Sequence, residues 1–391
     1  MPQSRNLERN LKLLCGFHAS QMALFPLAII TIFWQIDMGL STGEIVLLQG
    51  IMSLTVAVME FPSGYLADMI SYRKILGISS FFMMISWGIY TRAESFGEAV
   101  VAEVFQGVAW AFVSGADSAL MFESLKGLGK EKDFSKWTGR MKFFGQSAEG
   151  TAALGAGVLY SIMHRLPFIM ETAIWLVNMI LAFFMKEPER HEKTSAKWSD
   201  FTDLFKVLKD DRRILRVMFL ATSFGLASFI PVWLVPLYAK ENGLADVYLG
   251  PLWAGANYMV AIGAILSHRF EESLGNVKSL FICFLLMFVA YLGLGFTGSL
   301  FSFLFYYLIT FMRGVNGPIL AHDLHKLLPS RFRASLSSLQ SLIFRLSFAL
   351  LSPVIAWLVD GQGYQKTFLW IGAVAAVFVF VLLMSFKRQE S

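Results

Sequence analysis

Along this chain, runs of about twenty mostly apolar residues alternate with short polar joints. A helix needs about that many apolar residues to cross the hydrocarbon layer of a bilayer. By that ruler the pattern predicts twelve transmembrane helices, over 12–33, 43–67, 75–91, 98–122, 139–162, 166–185, 213–237, 247–268, 277–297, 300–321, 334–358 and 366–386. The longest polar joint divides them six and six. The domain expectation is therefore an amino-terminal six-helix bundle over 1–185, a linker over 186–212 and a second bundle over 213–391. Inside the linker, Trp198, Phe201, Phe205 and Leu208 recur at helical spacing among charged neighbours, which predicts a short amphipathic helix on the membrane surface. An unattached polar linker is the alternative.

Composition agrees with the pattern. The chain is 56% hydrophobic and 16% charged, with 37 phenylalanines, whereas soluble domains run near 45–50% apolar and about 25% charged. That balance excludes a soluble protein, since a hydrated surface could not be built from it. The formal charge of +5 would suit a nucleic-acid binder, but the placement of the basic residues argues against one. Of 33 lysines and arginines, Arg92, Arg165, Lys240 and Lys366 face one side, Arg313 and Arg345 lie inside spans, and all the others fall on the side of the amino terminus. The positive-inside rule then puts both termini in the cytoplasm of a multi-pass protein, here expected in a bacterial inner membrane. Cys15 and Cys283 fall in apolar runs and read as packing residues, not as a disulfide or metal site. The charged amino-terminal stretch leads into the first apolar run without a small-residue cleavage site, as an uncleaved span does.

Weak internal matches support two related halves. Span four ends SGADSALMFESLK and span ten NGPILAHDLHKLL, and Gln146-Ser147 in span five corresponds to Gln340-Ser341 in span eleven. Duplicated bundles are a common transporter plan. The joint between spans two and three, EFPSGYLADMISYRK over 60–74, resembles the loop signature G-x-x-x-D-R-x-G-R-K of the major facilitator superfamily. Gly64, Asp68, Arg73 and Lys74 match; Met69 stands for the usual arginine, and Ser71-Tyr72 flank the position of the usual glycine. Glu60-Phe61-Pro62-Ser63 is similar to bacterial drug-efflux members. Gly145, Gly150, Gly155 and Gly157 loosely resemble the glycine-rich antiporter helix, without its Gly-Pro pair. The corresponding motif of the second half is degraded to Arg269 and Gly275, with Ser267 near the expected aspartate.

The resemblance implies an all-α fold of two pseudo-symmetric six-helix bundles that open alternately to each side. It also implies that Gly64, Asp68, Arg73 and Lys74 form a gating motif, with Arg331 or Arg333 as the neighbour of Asp68 across the bundles.

A charge near mid-bilayer costs at least about 2.5–3.5 kcal/mol, so each one needs a reason. Glu149, Arg313 and Arg345 lie deep in spans five, ten and eleven, and Asp117 lies in the cytoplasmic third of span four. Glu149 and Asp117 are candidates for carrying protons, because a carboxylate in apolar surroundings takes up and yields a proton as its exposure changes. Arginine does not titrate usefully, so Arg313 and Arg345 are candidates for holding an anionic group of a substrate. Fixed ion pairs between helices are the alternative for all four. Glu60, Glu103 and Glu123 read as structural or gating groups. His18, Trp110, Tyr258 and Tyr306 are further candidates for lining a binding cavity, and His322, Asp323 and His325 read as a solvated loop, not a metal site.

No HExxH, GxSxG or phosphate-cradling GxxxxGK[ST] occurs, so neither an enzyme nor an ATP-driven pump is expected. The expected function is a secondary active transporter without a cofactor, a monomer in the lipid bilayer, exporting a small amphipathic compound against protons. Proton-coupled uptake of a small organic anion is the alternative. A membrane-embedded enzyme is a third reading with less in its favour.

Overall fold

A computed structural model describes residues 2–113, 116–188, 211–327 and 333–387. Among these residues every regular element is helical. The amphipathic helix expected within 186–212 and the residue Arg331 fall largely outside the described residues. Seven helical stretches are long and apolar enough to cross a membrane on those grounds alone, and one of them, Ser338–Ser385, has length for two. Counted with the more polar helices, the chain has the twelve of the sequence expectation. It is an all-α, multi-pass membrane protein.

The first expected span is not one helix. It is α1 (Pro2–Met22) followed by α2 (Ile30–Ile36), with Ala23–Ile29 outside regular helix. Pro26 explains the break: it has no N–H for Met22 O and its ring clashes with the preceding turn. Met22 O accepts instead from Leu24 N at 2.8 Å, and Ile30 N turns back to Pro26 O at 2.7 Å to start α2. Then come α3 (Thr42–Met69), α4 (Tyr72–Tyr90), α5 (Phe96–Val113), α6 (Ala116–Gly127), α7 (Phe134–Ile162) and α8 (Leu166–Phe184). The second half holds α9 (Arg212–Glu241), α10 (Leu249–Leu274), α11 (Asn276–Phe296), α12 (Leu304–Lys326) and α13 (Arg333–Lys387). Gly363, at φ 78, divides α13 into the last two spans, a backbone conformation glycine adopts without penalty.

Contacts sort the chain into two compact units, Met1–Leu40 with Leu48–Ser195 and Leu249–Pro251, and Ser41–Leu47 with Ala196–Tyr248 and Leu252–Ser391. The core of the first is aromatic. Phe33, Trp34, Trp87, Tyr90 and Phe168 form a continuous cluster with ring centroids 4.4–6.2 Å apart. Beneath it Glu103, fully buried, accepts from Tyr90 OH at 2.6 Å and from Gln49 Nε2 at 3.3 Å, tying α3, α4 and α5 together. Glu103→Ala strands the buried Tyr90 hydroxyl and is expected to lower stability by about 1–3 kcal/mol, with Glu103→Gln costing less because it keeps an acceptor. Thermal unfolding in detergent measures both.

The second unit is held by close helix approach and tyrosine-to-backbone bonds. Tyr291 OH donates to Ala227 O at 2.6 Å, and Tyr238 OH to Leu294 O at 3.1 Å. In lipid, small residues and such bonds drive helix association, since burial of apolar surface gains little against an apolar solvent. Gly263 on α10 and Gly314 on α12 face each other so closely that a Cβ on either would strike the partner backbone.

Candidate functional site

One series of polar groups in the first unit is strung along α1. From its midpoint, a cavity of about 790 Å³ opens against α7, walled by Lys12, Cys15 and Gly16 on one side and Trp137, Arg140 and Phe143 on the other. Lys12 and Arg140 are exposed, and the Arg140 guanidinium lies over the Trp137 ring at 4.9 Å. Among the described residues no acidic side chain lines the cavity. Two cations above aromatic walls suit a compound with an anionic head and a compact apolar body, for guanidinium binds carboxylate or sulfonate oxygens with two parallel hydrogen bonds.

One turn further, His18 Nδ1 stands 3.9 Å from Asp117 Oδ2. Asp117 is 9% exposed, and its other oxygen accepts from Ser118 N at 2.6 Å. The opposite edge of the imidazole rests on Gly145, where a Cβ would come within 2.7 Å of Cδ2 and 2.9 Å of Nε2. The glycine therefore makes room for the ring. Glu149 lies one turn along the same face of α7, half-buried, with Gln146 Nε2 donating to it at 3.3 Å. At 3.9 Å the imidazole and carboxylate are one small movement, or one bridging water, from a hydrogen bond. Such a pair can exchange a proton.

The last polar groups meet at the break after α1. Ser20 Oγ donates to Asn178 Oδ1, and Phe25 N donates to Glu171 Oε2 at 3.2 Å. The other oxygen of Glu171 accepts from Trp175 Nε1 at 3.0 Å. Glu171 and Asn178 are both 0% exposed.

Several sequence-selected residues lie elsewhere. Arg313 is exposed on α12, two turns from the buried Tyr306; Arg345 is half-buried on α13, its Nε donating to Ser341 Oγ at 3.3 Å. Tyr258 is 62% exposed and Trp110 half-buried. Of the gating motif, Arg73 binds within its own unit: Nη1 donates to Met185 O at 3.3 Å, while the Glu187 carboxylate accepts from Tyr72 N and Arg73 N at 3.1 Å and caps α4. Lys74 is exposed, and its backbone N donates to Ser71 Oγ at 3.3 Å. The side-chain placements of Gly64, Asp68 and Arg333 lie outside the described residues. His322 pairs with Glu271 at 2.9 Å, and no cluster of metal-ligating side chains occurs among the described residues. Lys12, Trp137, Arg140, Glu171 and Asn178 were not selected from the sequence. Glu171 had a visible signal, a lone carboxylate inside LPFIMETAIWLVNMILAFF.

Comparison with known proteins agrees with this architecture. The chain is 23% identical over 271 residues to the "Probable sulfoacetate transporter SauU" of Cupriavidus necator; the match takes in 62% of this chain and spans 60% of that relative's length. Its fold is similar to the crystal structure of the nucleoside transporter NupG, with TM-score 0.75 and 14% identity over 98% of this chain and 99% of the other. It is also similar to a bacterial homolog of the human lysosomal transporter Spinster in an inward-facing and occupied conformation, with TM-score 0.72 and 16% identity over 96% and 94% of the two chains. The family model described as Major Facilitator Superfamily matches residues 13–350. With the match running from the first span into the eleventh, the chain belongs to the Major Facilitator Superfamily and is a transporter, not an enzyme.

Proposed function

We propose that the chain is a proton-coupled transporter of a small organic anion, working by alternating access in a bacterial inner membrane with both termini in the cytoplasm. The observation that carries this reading is the cavity of about 790 Å³ with Lys12 and Arg140 over aromatic walls and no acid among the described residues of its lining. Of the two substrate classes the sequence leaves open, that lining favours an anion over a cationic or neutral amphipath. The curated relative named for sulfoacetate, a short sulfonated carboxylate, points the same way. Asp117 and His18 carry the proton, with Glu149 beside them. Arg313 and Arg345 are the second-half cations assigned to an anionic group, and Tyr258 and Trp110 are assigned to its apolar part. Tyr306, being buried, supports Arg313 on its helix. Gly64, Asp68, Arg73, Lys74 and Arg333 keep the gating role that the family resemblance implies.

The test is transport by the purified protein in liposomes under an imposed pH gradient, acid outside. Short sulfonates and dicarboxylates are expected to accumulate and a protonophore to abolish the accumulation. Movement of organic cations alone would overturn the anion reading, and expulsion of the anion by exchange would reverse the direction. In the same assay Arg140→Ala is expected to raise KM by about 10–100-fold, the loss of one charge-assisted contact, with a smaller effect on kcat.

A further inference from the structure

Glu171 has no part in the proton or anion steps just described, yet it lies deeper in the protein than any group that does. Its carboxyl is 0% exposed, and among the described residues no Lys, Arg or His lies within ion-pair distance of it. The titratable groups on the elements packed against α8 are engaged elsewhere. On α1, His18 faces Asp117, Cys15 and Lys12 face the cavity, Glu8 pairs with Lys130, and Arg9 lies over the Phe184 ring at the far end of α8. On α4, Tyr90 donates to Glu103, and Arg73 and Lys74 sit at the far end. On α7, Tyr160 donates to Asp37 and Glu149 is bonded to Gln146. An ion in such a place is expensive unless something else holds it.

What holds it is the break in the first span. One oxygen accepts from the indole of Trp175, on its own helix. The other accepts from the backbone N–H of Phe25, inside the unwound segment Ala23–Ile29, an N–H it shares with Ala23 O at 3.0 Å. A carboxylate accepts at both oxygens; a carboxylic acid keeps one good acceptor and turns the other oxygen into a donor. Proton uptake therefore removes one of the two N–H bonds, and the intrahelical Trp175 contact is the easier to keep. One further atom marks the same interface. Asn178 Nδ2, in a residue 0% exposed, has no hydrogen-bond partner among the described residues, although the Oδ1 of the same amide accepts from Ser20 Oγ near the end of α1. Discontinuous membrane helices at polar sites are a recurrent place for coupled ions in transporters.

We propose that Glu171 is a proton-operated clasp on a hinge in the first span: ionised, it fixes the segment Ala23–Ile29 through Phe25 N; protonated, it releases that segment. Transport of any particular substrate is not required for this, so its test stands apart from the anion reading. The probe is a membrane-permeant maleimide on the full chain carrying Leu24→Cys and Cys15→Ser, with the buried Cys283 left in place. Maleimide adds to the thiolate, so each rate is divided by that of the same thiol in the unfolded chain at the same pH. In the absence of substrate, this normalised labelling is expected to speed up as pH falls, by up to about tenfold per pH unit, the limit for one proton. Glu171→Gln, which cannot titrate, is expected to label at a normalised rate independent of pH. Persistence of the pH dependence in that variant would assign it to another group, such as the Asp117–His18 pair, and overturn the proposal; so would a flat profile in the parent. Should Glu171→Gln fail to fold, Trp175→Phe replaces it. Loss of one donor to the carboxylate is expected to move the rise in labelling to higher pH, and an unmoved profile would equally overturn the clasp.

Discussion

Asp117→Asn is expected to abolish proton-driven accumulation of substrate while leaving exchange of substrate across the membrane intact. Asparagine matches the volume of aspartate and keeps the oxygen that accepts from Ser118 N at 2.6 Å, so the local turn of α6 survives. It lacks the charge that faces His18 Nδ1 at 3.9 Å and cannot bind a proton. One pH unit corresponds to about 1.4 kcal/mol per proton. A carrier moving one proton with each substrate therefore concentrates it about tenfold under a one-unit gradient, and the variant is expected to bring the two sides only to equality. Exchange of labelled for unlabelled substrate requires no net proton movement and separates lost coupling from lost folding. Accumulation that survives in Asp117→Asn but fails in Glu149→Gln would move the proton to Glu149, the other carboxylate on the polar face around His18.

The sequence already carried the span count and the family, because hydropathy at the scale of twenty residues depends on the solvent and not on neighbours and the loop signature is local. What it could not carry was the direction in which each side chain faces. Arg313 and Asp117 both interrupt apolar runs, yet one is exposed on α12 and the other is almost wholly buried against α1. Lys12 and Arg140 looked like the ordinary basic ends of spans, and only the pairing of α1 with α7 puts them on one cavity. Pro26 gave no warning of a break because proline is often tolerated inside a continuous membrane helix, as Pro62 in α3 and Pro353 in α13 are here. The difference at Pro26 is that the backbone N–H of Phe25 is shared between Ala23 O at 3.0 Å and the Glu171 carboxylate at 3.2 Å.

Gly314→Ala is expected to be the most damaging single-methyl change in the second half, and Gly317→Ala, on the same helix, close to neutral. At Gly314 an added Cβ would sit 2.9 Å from Val260 C and 3.0 Å from Ala264 N, closer than real Cβ atoms come, with Val260 O nearer still. At Gly263, on the facing helix, it would meet Gly314 Cα and Val315 N at 3.1 Å and Phe311 O more closely. These obstacles are backbone, so no side chain can rotate away, and α10 and α12 must separate to admit the methyl. Overpacking of this kind costs about 1–3 kcal/mol or more, and the separation also forfeits the close backbone contact that associates helices in lipid. Gly317 has nothing within 4 Å of the same position, so its alanine adds helix propensity without a clash. Measured as melting temperature and as the fraction of monodisperse protein after extraction, the two variants are expected to differ sharply. Equal behaviour would mean that α10 and α12 do not cross at this pair of glycines. Recovery by a second substitution is not expected, since Gly263 is already the smallest residue available on the opposing face.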